Sequence, residues 1–86
     1  MSRDQQIRAE IELQCYGARP LWTSTYSIAR QCRHFGLEFT ELDIVREAEY
    51  LTQAGVLERE TDSITGAARY RITAAGIQSH EQRMHA

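Results

Sequence analysis

Two stretches hold the residues with the most chemical potential. CRH, Cys32 to His34, sets a thiol and an imidazole two positions apart, and ELDIVREAEYLTQAG, Glu41 to Gly55, sets Glu41, Asp43, Glu47 and Glu49 against a single Arg46. A thiol near an imidazole is raw material for nucleophilic attack or metal binding, and clustered carboxylates for acid–base work. Neither develops further. Residues two apart on a helix point in different directions, and no acid is placed to orient His34. Zinc asks for four ligands in paired spacing, whereas His80 and His85 lie far off near the C-terminus. Cys15 and Cys32 read as small buried apolar groups in a reducing compartment. The glycines fall at helix stops and turns rather than in a phosphate loop, Gly76 excepted. No catalytic residue, metal or cofactor is expected, and the chain reads as a binding protein rather than an enzyme.

The acidic stretch sits on an element that the sequence marks out clearly. Thr40 and Asp43 form a capping signature, Ile44, Ala48 and Leu51 recur at helical spacing, and Gly55 is a natural stop, so a helix 3 is expected with Asp43, Arg46, Glu47, Tyr50 and Gln53 facing outward. Before it, Ser2 and Gln5 open a helix 1 from about Arg3 to Tyr16, with Ile7, Ile11 and Cys15 inward and Leu13 broadening the stripe. Gly17 to Leu21 is a connection that can hold a short extended piece ending at Trp22, and Thr23 or Ser24 caps a helix 2 that buries Ile28, Cys32 and Phe35 and stops at Gly36. Leu37 then drops into the core.

After Gly55 the period changes. VLERET and ARYRIT bracket DSITG as a hairpin, in which Ala68, Tyr70 and Ile72 pack on the helices while Arg69 and Arg71 meet solvent. Thr73 caps a last helix anchored by Ile77, which is expected to be short or frayed past Gln82. One compact domain over residues 1–86 follows, ordered from about 3 to 82 and mainly α with a small antiparallel β wing. The polar N-terminus lacks the apolar segment of an export signal and no long apolar run occurs, so a cytoplasmic protein with no membrane contact is expected.

The net charge of −2 conceals a segregation. Glu38 to Ala54 holds five acids and one base, whereas Pro20 to Leu37 holds Arg30 and Arg33 and no acid. All ten bases are Arg, whose planar fork suits phosphate or carboxylate.

Three helices, a tight Gly-containing link between the second and third, then a hairpin and a C-terminal helix resemble the winged helix-turn-helix family. The run LTQAGVLERETDSITGAARYRITAAGI, Leu51 to Ile77, carries the likeness, which extends back to about Ile7. In general appearance the whole chain also resembles the very small winged-helix proteins encoded by transposable phages and prophages. The resemblance implies double-stranded DNA as partner, regulation as role, and a homodimer. Carried over by position, helix 3 in the major groove would use Arg46, Tyr50 and Gln53 beside Asp43 and Glu47. Arg69 and Arg71 of the wing and Arg30, Arg33 or His34 of helix 2 would take phosphates.

The acidity of helix 3 departs from that pattern, since DNA affinity comes largely from bases that neutralise phosphates. One unit-charge repulsion at ~10 Å in water is only ~0.4 kcal/mol, with a Debye length of ~8 Å, so the acids do not forbid binding. The lost attraction matters more. Glu41 and Asp43 suit the positive end of the helix dipole, and i,i+3 pairs of Arg46 with Asp43 and Glu49 are expected; Glu47 and Glu49 have no evident reason for being acidic. The alternative is a protein partner docked on helix 3, with Tyr50 as anchor; Tyr50 is otherwise a half-exposed aromatic covering the helix stem. Helix 1 or the last helix could form a dimer seam if Ile7, Ile11 and Leu13 exceed what the core needs.

Overall fold

In the computed structural model, which describes residues 1–85, the elements are α1 (Arg3–Ala18), β1 (Thr23–Ser24), α2 (Thr25–His34), α3 (Glu41–Gln53), β2 (Leu57–Thr61), β3 (Ala68–Ile72) and α4 (Ala74–Met84). The three strands form one antiparallel sheet in the order β1-β3-β2. No helix is long and apolar enough to cross a membrane among the described residues. Ala86 lies outside them.

Each helix begins where a side-chain oxygen can satisfy its first free amides. Ser2 and Gln5 close a reciprocal capping box on α1, Thr40 and Asp43 close another on α3, and Ser24 rather than Thr23 caps α2. Thr73 accepts from the Gly76 amide at 2.9 Å to start α4. The chain reverses after α2 at Gly36, whose φ of 80° L side chains rarely adopt. There the Leu37 amide donates back to the Cys32 carbonyl at 2.8 Å and the Gly36 amide to the Arg33 carbonyl at 3.0 Å, which ends the helix and aims the chain into α3.

The core gathers Ile7, Ile11 and Cys15 from α1, Ile28 and Cys32 from α2, Ile44, Ala48 and Leu51 from α3, and Leu57, Tyr70 and Ile72 from the hairpin. Fully burying an aliphatic side chain of this size contributes roughly 1.5–3 kcal/mol, so these helix stripes and one sheet face supply the main force of folding. Leu37, expected within the core, lies half-buried against its edge, and Ile77 packs there as the apolar anchor of α4.

Several expectations need correction. α1 runs past Gly17 to Ala18, because Gly17 keeps a helical backbone and Pro20 is what forbids continuation. Leu13 is 53% exposed, being two residues from Ile11 and Cys15 and so on the far side of the helix. Phe35 is 61% exposed: it is the C-cap of α2, already off the helical stripe, and Phe39 fills the core instead. The extended piece is β1, one residue beyond Trp22, and it extends the wing to three strands. α4 continues past Gln82 to Met84 because its last turns are tied to α1. His80 Nδ1 lies 2.7 Å from the buried Glu12 carboxylate, which Arg83 also reaches, and the Tyr16 hydroxyl donates to Glu81 at 2.9 Å.

Gly76 has a packing reason. A Cβ there would stand 2.3 Å from the Val56 carbonyl oxygen and 2.8 Å from Ile72, so only glycine lets α4 approach the strand junction. Helix propensity alone would favour Gly76→Ala by ~1 kcal/mol. The clash is with backbone, so we expect the variant to lose ~1–3 kcal/mol in urea denaturation. A raised midpoint would show that the junction relaxes freely.

Candidate nucleic-acid interface

α3 is held against α1 by carboxylates that the sequence had placed on its outer face. Arg8 Nε donates to Glu47 at 2.7 Å, Arg3 donates to Asp43 at 2.9 Å, and both acids are buried, Glu47 to 3% exposure. Asp43 and Glu47 are therefore not available to a groove. At 100° per residue Glu47 lies closer to the Ile44–Ala48–Leu51 stripe than to its opposite, so the rotation was readable from spacing. The same geometry names the true outer face: Leu42, Val45, Arg46, Glu49 and Gln53, with Glu41 before them.

Within that face, Leu42 is 73% exposed. Arg46 lies 3.2 Å from Asp43, 3.0 Å from Glu47 and 3.9 Å from Asp4. It pairs with Asp43 as expected, but with Glu47 rather than Glu49. Glu49 instead accepts from the hydroxyl of the buried Tyr70 at 2.7 Å and lies 3.5 Å from Arg59. Tyr50, 52% exposed, carries the Arg8 guanidinium 3.7 Å above its ring. Tyr50 is half-exposed, as expected of a surface aromatic, and the group it meets is Arg8 of α1.

The wing guanidiniums form a cross-strand ladder. Arg69 pairs with Glu60 and Arg71 with Glu58, following the register of β2 and β3, on the hairpin face away from Tyr70; Arg71 also stacks on Trp22 at 4.3 Å. Arg59, opposite Tyr70 in register, is the wing base on the α3 side. Sequence reading passed over Arg59, although the same strand alternation that placed Tyr70 inward places it there. Half-exposed ion pairs of this kind contribute on the order of 1 kcal/mol, so the wing can exchange a carboxylate for a phosphate at modest cost. On α2, Arg30, Arg33 and His34 are exposed and have no carboxylate within ion-pair distance among the described residues.

The structure thus brings Arg46, Tyr50 and Gln53 onto or beside one α3 face, sets Arg30 and Arg33 on the neighbouring helix, and puts Arg69 and Arg71 on the outer wing. Among the described residues no three His, Cys, Asp or Glu side chains gather as a metal site. Cys15 and Cys32 are free and buried, and burial pushes the Cys15 thiol up to about 12, far from a reactive thiolate.

No protein-family model matches the chain, and no curated protein matches it. Solved structures do. A mutant of Lactococcus lactis ZitR in apo form superposes with a TM-score of 0.73 at 6% identity, covering 94% of this chain and 56% of that one. The Vibrio cholerae ferric uptake regulator, described by its DNA-binding domains, gives 0.71 at 14% identity over 86% and 53%. A transcriptional regulator from Clostridium thermocellum gives 0.76 at 20% identity over 99% and 85%. The chain spans little more than half the length of the first two. At such identities the likeness is one of fold, and the fold is the winged helix-turn-helix.

The α1–α3 clamp sets an acid limit on stability. Hydrogen bonds from Arg3, then the Thr40 backbone, hold the Asp43 carboxyl well below its usual range. Burial works to raise Glu47, but hydrogen bonds from Arg8 and Arg46 outweigh it and leave that carboxyl lowered as well. With folded values below unfolded ones, the unfolded chain takes up these protons first as pH falls. Their contribution is complete above the unfolded carboxyl range of ~4 and is lost on acidification through the folded values. Urea midpoints should therefore stay level from about pH 7 to about 5 and fall below ~4, and Asp43→Asn with Glu47→Gln should flatten that fall. Equal slopes in both proteins would acquit the clamp.

Proposed function

We propose that the chain is a DNA-binding regulatory module that acts on duplex DNA as a pair of copies in a cytoplasmic setting. The observation that carries this reading is the outer face of α3, cleared of Asp43 and Glu47 and set at the front of a helix-turn-helix. Leu42 and Val45 suit thymine methyl groups, Gln53 suits the adenine edge, and Glu41 can accept from the cytosine amino group. An acidic reading helix is compatible with base readout when phosphates are taken elsewhere. That work falls to Arg33 on α2 and to Arg69 and Arg71, released from their glutamates. Three guanidiniums are few against the ~6–10 phosphate contacts of a typical reader, which is why two copies are part of the proposal. About half of the ferric uptake regulator, a protein with DNA-binding domains, shares this fold, which supports the reading.

A second reading has its own observation: exposed Leu42 is flanked in the chain by exposed Glu38 and Glu41, an apolar centre with acidic neighbours that suits a protein partner, and half-exposed Tyr50 lies about two turns further along the same helix.

Fluorescence anisotropy with labelled duplex separates the two. For DNA, affinity should drop steeply between low and physiological salt, Arg33→Ala should weaken every sequence alike and lower the salt slope by about 1, and Gln53→Ala should alter base preference. Absence of binding at low salt would overturn the DNA reading in favour of docking. Tyr50→Ala would then cost more than ~1 kcal/mol of partner affinity by calorimetry.

A further inference from the structure

Two large apolar side chains that helical spacing had assigned to the core, Leu13 and Phe35, lie instead at the surface, and both line one groove between α1 and α2. The helices run antiparallel there: Gln14 Nε2 reaches the Ile28 carbonyl at 3.4 Å and Cys32 Sγ at 3.5 Å, which levels Glu10 with the C-terminal end of α2. The floor is low at the other end, where Gly17 and Ala18 line the groove and a Cβ on Gly17 would meet nothing within 4 Å. Leu13 and Phe35 thus leave an apolar strip along the groove, and such a strip can be covered by the same strip of a second copy under a two-fold operation.

The rims add the charge argument. The α1 wall carries Glu10. The α2 side carries Arg30 and His34, which share a shallow depression with Ser27 and Gln31 next to the groove. Arg30 lies about 60° around the helix from Arg33, so the two need not serve one partner. A two-fold axis along the groove lays the α1 wall of one copy on the α2 wall of the other, and levels Glu10 with Arg30 and His34 twice over.

We propose that the α1–α2 groove is the surface on which a second copy of this chain docks, with Leu13 and Phe35 as apolar contacts and Glu10 set against Arg30 and His34 across a two-fold axis. This gives a surface to the pairing in the DNA reading and rests on that reading for its purpose, while leaving the outer face of α3 and Arg33 uncovered.

Sedimentation velocity over a dilution series tests it. The wild-type chain should sediment as a dimer that dissociates on dilution, and Leu13→Glu, at an exposed position, should be monomeric with an unchanged circular dichroism spectrum and melting temperature. Glu10→Arg should weaken the dimer about tenfold or more, and Glu10→Arg combined with Arg30→Glu in the same chain should recover it, because a two-fold interface reverses both pairs together. A wild-type monomer at every concentration overturns the proposal. So does a dimer indifferent to Leu13→Glu, or a groove that takes up only an unrelated apolar peptide. Duplex titration keeps the two readings apart: a wild-type monomer that binds DNA removes this interface and the pairing but leaves DNA binding standing, and a Leu13-dependent dimer that binds no duplex removes the DNA reading alone.

Discussion

The buried carboxylates of α3 are the constraint from which the rest follows. Asp43 and Glu47 stand where a helix packs on a helix, and each is satisfied by guanidiniums from α1 as well as by Arg46 of their own helix. A carboxylate in such a place without partners would have to be neutral or solvated. With them it fixes the rotation of α3 about its axis, because a large turn would break these pairs and carry a charge towards the apolar side chains of α1 and α2, such as Ile7, Ile11 and Ile28. Hydrophobic burial tells α3 which side to hide, and the ion pairs narrow that to one angle.

The all-arginine composition suits this work. Arg46 serves three carboxylates at once, and Arg8 holds Glu47 with its edge while laying its plane on Tyr50. A lysine ammonium could donate to several carboxylates, but it has no planar edge and face with which to hold one group and stack on another. The apparent excess of acid on α3 is largely internal: Asp43, Glu47 and Glu49 are each matched within the fold, and only Glu38 and Glu41 remain as plainly solvent-facing acids at its entry. The segregation that looked like a patch in the sequence is mostly a set of pairs made across elements.

Capping residues, glycine stops and hydrophobic period made the element order legible, since each acts within a few residues of chain. The buried stripes of α1 and α3 were legible for the same reason. What failed were places where a neighbour decides. Phe35 sits one residue past the point where periodicity stops applying, and Phe39 replaces it from a loop that has no period to read. Asp43 and Glu47 were read as outward because acids usually are; the bases that hold them are about forty residues away in sequence. Gly76 looked like a weak helix residue until the Val56 carbonyl stood against it. Of the candidate site, Arg46, Tyr50 and Gln53 came from period. Leu42, Glu49 and Arg59 were equally open to period and strand alternation, and were passed over because acids were assumed to face out and only Arg69 and Arg71 were taken as wing bases.

The hydroxyl of Tyr70 joins the middle strand of the sheet to Glu49 on α3, and Glu49 also faces Arg59 on the adjoining strand. α3 and the wing are thereby geared together, so a shift of one is passed to the other. A substitution at position 49 would cut that tie, whereas changes at 42 and 53 would alter the outer face of α3 and leave the tie in place.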